Sequence, residues 1–318
     1  MEMIDSIKLV FENAFKERIL EIMPCGNHEL KRNWVYKIQT DKNKYVFKLF
    51  IKSNKRIREL NAIPLFADHN PLRIVKYGET PEGLEWIVYN HIEGWVLNHI
   101  IEDLDLDQLR ALFHEIGRKT ANLHHLKVYD YFGDWVKEKQ SPVEDYKTFI
   151  ISDCERLIKN IEDQDFHQRD VLELAIEKMR GEYVNIRKLE VARLCHRDLD
   201  GRNILIKVKA EDGLKLEAFL DFEKTVVFNE YLDIIGFYRM YFIDQPKLIE
   251  HFFKGYEEIM PISDDFNKEL RFNLYRAGID ICSWAMDVSE TFYLETINYL
   301  KRLLAMDSDL MAIYAKKS

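Results

Sequence analysis

The sequence predicts an α+β protein in which a small antiparallel-sheet part precedes a larger helical part. Three observations predict it. Between Asn33 and Tyr89, apolar and polar residues alternate in short runs, the period of strands with one face buried. After Gly94 the apolar residues recur at helical spacing over long stretches. One β-like island, Arg193 to Glu223, interrupts those helices. At 318 residues the chain is long enough for two compact parts, each with its own core.

Taken in order, Phe11, Phe15, Ile19 and Ile22 suit an amphipathic leading helix over Glu12–Ile22. Asn33–Thr40 and Tyr45–Phe50 alternate and are rich in β-formers, and Asp41–Lys44 between them is turn material, which predicts a β-hairpin. Arg56–Asp68 reads as a helix that Pro64 breaks or kinks. Strands follow at Arg73–Tyr77 and Leu84–Tyr89 around the turn Glu79–Gly83. Helices are then expected over Leu106–Leu126, Tyr146–Lys159, Asp170–Arg180, Gln245–Glu258 and much of Lys268–Met306. Inside the island, strands Ile204–Val208 and Leu216–Leu220 flank a turn at Ala210–Gly213.

Composition removes several classes. Hydrophobic residues make up 47%, with only 12 glycines and 7 prolines, as expected of a folded globular chain. No stretch has the uncharged apolar length of a membrane span, since even Ile234–Ile243 carries Arg239. Met1–Phe15 lacks the basic-then-apolar order of a signal peptide, so a cytoplasmic protein is expected. The four cysteines lie far apart without metal-ligand spacing and read as free thiols in a reducing compartment. A formal net charge of −9 argues against a nucleic-acid partner and leans toward a neutral or cationic one, although a local pocket can oppose the global sign.

The chemistry concentrates in His196-Arg197-Asp198-Leu199-Asp200-Gly201-Arg202-Asn203, followed eighteen residues later by Asp221-Phe222-Glu223. Phosphoryl transfer needs one carboxylate at the attacking hydroxyl and a second set of oxygen ligands holding Mg²⁺ against phosphates. Asp198 and Asn203, five positions apart on a loop, can supply the first carboxylate and one ligand. The hairpin after them delivers Asp221 alongside. Alone, either piece would pass for a polar turn. A cation is also needed on the phosphates. Lys48 would read as a solvated strand lysine by itself, but it lies on a strand following a turn, and Glu59 on the next helix can pair with it.

On these residues the chain resembles the aminoglycoside phosphotransferase and choline kinase family, whose fold is bilobal and protein kinase-like. Asn33–Ile38, Tyr45–Phe50, Trp86–Gly94, Leu123-His124, His196–Ile206, Asp221–Glu223 and Tyr231–Asp233 carry the resemblance over most of the chain. It implies a nucleotide-binding lobe at residues 1–91 and a helical lobe at 92–318 with the catalytic loop and acceptor site. It further implies ATP and Mg²⁺, with Asp198 as catalytic base or hydroxyl-orienting acid, and Asn203 and Asp221 as magnesium ligands. Lys48 would hold the nucleotide phosphates and Glu59 would fix Lys48. Backbone groups near Asn90 and Ile92 would hold the adenine, and Asp233 would brace the catalytic loop or cap the helix after it.

The sequence departs from the family at several points. The turn Cys25–Arg32 has one glycine, so phosphate contacts there would fall to side chains such as Asn27 or Arg32. Asn90 stands where many relatives carry Glu. Arg197 replaces a common Gly, which makes the loop look more like that of a protein Ser/Thr kinase. Against that alternative, only residues 222–232 separate Asp221 from Asp233, too few for an activation loop, and no A-P-E triplet follows. A catalytically degenerate nucleotide-binding module is the other alternative, and the presence of Lys48, Asp198, Asn203 and Asp221 together speaks against it.

The expected partner is a small molecule offering a hydroxyl. Candidates for holding it are Asp200, Glu223, Asp280, Trp284, Asp287 and Glu290. Asp280, Trp284 and Asp287 would share a helix face, and acids beside an indole suit an amine-bearing acceptor such as an aminoglycoside or amino alcohol. Glu223 could also add charge beside the metal. His124 and His125, at a helix end, read as packing or capping groups.

Overall fold

A computed structural model describes residues 3–26, 33–134, 145–163, 166–209 and 213–306. The N-terminal part contains α1 (Met3–Phe15), β1 (Ile19–Cys25), β2 (Asn33–Thr40), β3 (Lys44–Phe50), α2 (Arg56–Leu65), β4 (Ile74–Glu79) and β5 (Glu85–Asn90). Its strands form an antiparallel sheet in the order β1-β2-β3-β5-β4. Strand alternation divides β3 between two cores. Phe47 and Leu49 join Ile7 and Phe11 of α1 on one face, whereas Phe50 joins the larger core through Phe66 and Ile87 on the other. Lys48 shares the second face and so looks toward the helical part.

The leading helix lies earlier than its spacing suggested. Lys16 adopts φ 56°, a left-handed conformation that ends α1, and Ile19–Cys25 is an edge strand with Ile22 opposite Ile38. Phe11, Phe15, Ile19 and Ile22 do reach one core, but from two elements. Ladder pairing with β2 outweighs the helical spacing. Downstream, α2 stops at Leu65, directly after Pro64, rather than at Asp68; proline has no N–H to donate back to the Leu60 carbonyl and its ring crowds that group, which weakens the last turn.

The helical part comprises β6 (Trp95–Val96), α3 (Leu97–Ile100), α4 (Leu106–His125), β7 (Val128–Tyr129), β8 (Gly133–Asp134), α5 (Tyr146–Glu162), α6 (Arg169–Gly181), β9 (Ala192–Cys195), β10 (Ile204–Lys209), β11 (Gly213–Phe219), β12 (Val226–Phe228), α7 (Tyr231–Phe237), α8 (Ile249–Glu257), α9 (Phe266–Ala285) and α10 (Glu290–Ala305). Asp105 starts α4 with a capping box, its side chain accepting from the Gln108 N–H while the Gln108 side chain accepts from the Asp105 N–H. The α4 and α8 backbones approach closely at Gly117 and Gly255. A Cβ at either would fall 1.9 Å from a carbonyl oxygen of the facing helix.

The expected hairpin is β10–β11, extended by β6, while its turn residues 210–212 lie outside the described residues. The long C-terminal pattern divides into α9 and α10 at Met286–Ser289. All four cysteines are free. Among the described residues no helix is long and apolar enough to cross a membrane.

Candidate active site

Lys48 enters the space between the two parts from β3 and is nearly inaccessible. Its Nζ meets Glu59 Oε1 at 2.7 Å, Asp221 Oδ1 at 2.7 Å and Glu223 Oε2 at 2.8 Å. Glu59, in the first turn of α2, also accepts from the Tyr89 hydroxyl of β5 at 2.7 Å. The Asn33 amide donates to Glu223 Oε2 at 2.6 Å, and Arg58 donates to the Glu223 carbonyl at 3.1 Å. Sheet, helix and the Asp221–Glu223 turn are thus fastened to one ammonium.

Burial works against the Lys48 charge, but Asp221, Glu59 and Glu223 hold its pKa well above the ordinary lysine value. Burial pushes Glu59 up to about 7, with Lys48 pulling the other way. For Asp221 burial also acts upward, yet Lys48 outweighs it and the carboxyl stays below its usual range.

The Asp198 loop runs between β9 and β10. His196 and Arg197 donate their backbone N–H groups to the two Asp233 oxygens at 2.7 and 2.6 Å. His124, at the end of α4, pairs with the same carboxylate at 3.1 Å and with the Tyr256 hydroxyl at 2.7 Å. Asp233 sits inside the first turn of α7 and braces the loop; it does not cap the helix, whose N-cap is Glu230. His124 is the buried packing group expected; burial acts to raise the Asp233 carboxyl, but the His124 contact outweighs it and leaves Asp233 below the usual carboxylate range.

Within the site, Arg197 at φ 66° and Asp221 at φ 62° take left-handed backbone. Such conformations cost energy outside glycine and concentrate where surrounding structure imposes them. Here both are held, Arg197 by its hydrogen bond to Asp233 and Asp221 by Lys48. Asn203 donates its amide to the Asp198 carbonyl at 2.8 Å, and its own carbonyl accepts from Leu220 N–H, adjacent to Asp221. The loop and the hairpin end are therefore tied together at Asn203. Gly201 permits a close approach, since a Cβ there would lie 2.0 Å from the Tyr241 hydroxyl.

Sequence reasoning did not select the cations around Asp198. Lys224 Nζ lies 2.9 Å from Asp198 Oδ2, and Arg202 lies 3.7 Å from Oδ1. Lys224 directly follows the Asp221–Glu223 triplet, which was the available signal. Arg202 mainly grips Asp200, whose Oδ1 accepts from its backbone N–H and Nε at 2.9 Å each. Asp200 is buried in this pairing.

Beside the loop opens a cleft of about 670 Å³ lined by Asp198, Asp200, Glu223, Asp280 and Trp284 among others. Asp287 and Glu290 are exposed and do not line it. The helix-face expectation fails there because α9 ends at Ala285, before Asp287. Asn90 turns its side chain to the connection before β4, accepting from Arg73 N–H at 2.7 Å and donating to Pro71 O at 3.1 Å. Ile92 packs half-buried against the larger core. Asn27 and Arg32 lie outside the described residues.

Glu59, Asp221 and Glu223 each offer a carboxylate oxygen, all within 4.8 Å of one another. All three are gathered on the Lys48 ammonium, so Glu59 holds Lys48 while Asp221 and Glu223 are the oxygen donors of this set that fit a hard divalent cation such as Mg²⁺.

A model of the phosphotransferase enzyme family matches residues 30–266. The structure is similar to aminoglycoside phosphotransferase APH(4)-Ia in a ternary complex with AMP-PNP and hygromycin B, at a TM-score of 0.72 and 14% identity over 98% of this chain and 100% of that one. It is also similar to the GDP complex of aminoglycoside 2'-phosphotransferase-IIIa (TM-score 0.70, 17% identity, 96% and 100% covered). A third likeness is to spectinomycin phosphotransferase APH(9)-Ia with ADP and spectinomycin (TM-score 0.62, 13% identity, 97% and 96% covered). No curated relative matches at the sequence level. These likenesses establish a bilobal, protein kinase-like α+β fold, with a small antiparallel-sheet lobe and a larger helical one.

Proposed function

The chain belongs to the phosphotransferase enzyme family, and on that premise we propose that it moves the γ-phosphate of ATP to a hydroxyl of a small molecule, with Asp198 at the acceptor. The observation that most supports this reading is the Lys48 ammonium bound at 2.7 Å to both Glu59 and Asp221, beside the loop carrying Asp198 and Asn203. Residues 1–91 form the nucleotide-binding lobe and 92–318 the acceptor lobe in this proposal.

Each residue has a stated task. Lys48 exchanges part of its carboxylate contact for the nucleotide phosphates, and Glu59 keeps it pointing into the cleft. Asn203 and Asp221 would hold magnesium, and Glu223 lies beside Asp221; when bound, the cation would neutralise phosphate charge. Asp198 orients the acceptor hydroxyl and takes its proton. Lys224, 2.9 Å from Asp198, places a positive charge at the transfer point. The backbone near Asn90 and Ile92 receives the base.

The protein Ser/Thr kinase alternative finds no support in the segment after Asp221. Phe222–Lys224 forms a single 3-10 turn, Val226–Phe228 pairs with β9, and α7 begins at Tyr231, which leaves no peptide platform. Asp280 and the Trp284 indole, on one wall of the cleft, suit an ammonium on the acceptor.

An ADP-release screen over amino sugars, amino alcohols and sugars, with mass spectrometry for the phosphorylated product, tests the proposal. It predicts Mg²⁺-dependent ADP release with a monophosphate product. Nucleotide binding without turnover of any hydroxyl compound would support the degenerate alternative.

A further inference from the structure

Basic side chains outnumber acidic ones in the cleft lining, although the whole chain carries a formal charge of −9. Half of these cations are already engaged, among them Arg58 on the Glu223 carbonyl. Arg202 grips Asp200, Lys224 meets Asp198, and Arg276 reaches Asp153 at 2.7 Å. Lys52 and Arg197 are exposed to water. Lys55 stands among Arg58, Glu223, Lys224 and Arg197.

Arg239 differs from the engaged and the exposed cations, and from Lys55 in having Asp200 and Asp198 as its acidic neighbours. It lines the cleft half-buried, and among the described residues its guanidinium makes no hydrogen bond and no ion pair. Its charged neighbours are Asp200, Asp198 and Arg202, so it points toward the catalytic loop. Asp200 is not free to take it, because Arg202 already donates to both Asp200 oxygens at 2.9 and 3.1 Å. Arg239 also sits in a π-helical turn, Tyr238–Phe242, that continues α7. Such widened turns are uncommon and recur at functional sites. A partly desolvated guanidinium with no hydrogen-bonded anion is costly, and its planar fork matches a carboxylate or phosphate.

We propose that Arg239 is the anchor for an anionic group, a carboxylate or a phosphate, carried by the acceptor. This rests on the small-molecule kinase reading and deepens it. The acceptor is an acidic hydroxyl compound, whose anion lies on Arg239 while its hydroxyl meets Asp198. Any amine it carries falls to the Asp280 and Trp284 wall.

The test uses the full chain, wild type, Arg239→Gln and Arg239→Lys, each pre-saturated with Mg·AMP-PNP so that the γ-phosphate position is filled. Inorganic phosphate and glycerate are titrated separately at matched ionic strength while the melting temperature is followed. At least one should give a saturable rise in the wild type, and which one does identifies the anion. Arg239→Gln should weaken that response by about tenfold or more, the loss expected of a charged hydrogen-bonded pair. Arg239→Lys, which keeps the charge but not the fork, should fall between. In the turnover screen, matched pairs such as glycerol with glycerate and ethanolamine with serine should favour the acid, and Arg239→Gln should raise KM for it more than it lowers kcat.

No saturable response to either anion, or equal responses in wild type and Arg239→Gln, would overturn the inference. If ADP release from neutral acceptors persisted meanwhile, the kinase reading would stand. Failure of the wild type to bind Mg·AMP-PNP would strike at the kinase reading instead, and the same titrations on the free protein would still decide Arg239.

Discussion

Replacing Lys48 by methionine keeps the length and apolar stem of the side chain but strands three carboxylates. Glu59, Asp221 and Glu223 lie 2.7, 2.7 and 2.8 Å from the missing charge. Glu59 is wholly buried and Glu223 nearly so, while Asp221 keeps about a third of its side-chain surface open to water. Removing one partner of a buried pair costs about 3–5 kcal/mol. Water screens the Asp221 share, so the expected loss at neutral pH is about 3 kcal/mol. The loss should depend on pH in a definite direction. Burial already pushes Glu59 up to about 7, above its unfolded value of 4.5. A raised carboxyl favours the folded state while protonated and ceases to as pH climbs through its folded pKa. Without Lys48 that pKa rises further. The variant's deficit should therefore be small near pH 5 and grow through pH 8. Urea unfolding followed by tryptophan fluorescence at the two pH values measures both quantities. A deficit under about 1 kcal/mol, the size of an exposed pair, and equal at both pH values, would refute the account of Lys48 as the fastening between the lobes.

Two other perturbations separate the site from the scaffold. Asp221→Asn should abolish Mg²⁺-dependent nucleotide affinity, read by calorimetry with and without the metal; unchanged affinity would remove Asp221 from the metal assignment. Glu269 on α9 is buried with Arg187 Nε 3.3 Å away and neither carboxylate oxygen hydrogen-bonded, and burial pushes it up to about 7. Its folded value exceeds the unfolded 4.5, so its contribution is full below that value and is lost as pH rises through 7. Glu269→Gln should gain stability on the wild type between pH 5 and pH 8 by on the order of 2 kcal/mol. A constant difference in thermal unfolding across that range would contradict the assignment.

The parts of the site that could be read from sequence are those held by short spacings. Asp198, Asn203 and Asp221 are joined by one loop and one hairpin, so their order nearly fixes their proximity. Lys48 was readable because strand alternation puts it opposite Phe47 and Leu49. β1 was not, because its exposed edge buries so little that Ile19 and Ile22 look the same on a helix or a strand. Asp287 was misplaced for a related reason. Counting turns assumes a helix that continues, and α9 does not. Arg239 escaped notice because its direction depends on a π-turn that shifts the helical phase, and on helices distant in sequence.

The central claim is that Asp198 acts on the acceptor and not on the nucleotide. Asp198→Asn, assayed for Mg·ATP affinity by calorimetry and for turnover by ADP release, tests it most directly. The account predicts near-native affinity with turnover reduced by about a hundredfold or more. Full turnover in this variant, or loss of nucleotide binding equal to the loss of turnover, would contradict it.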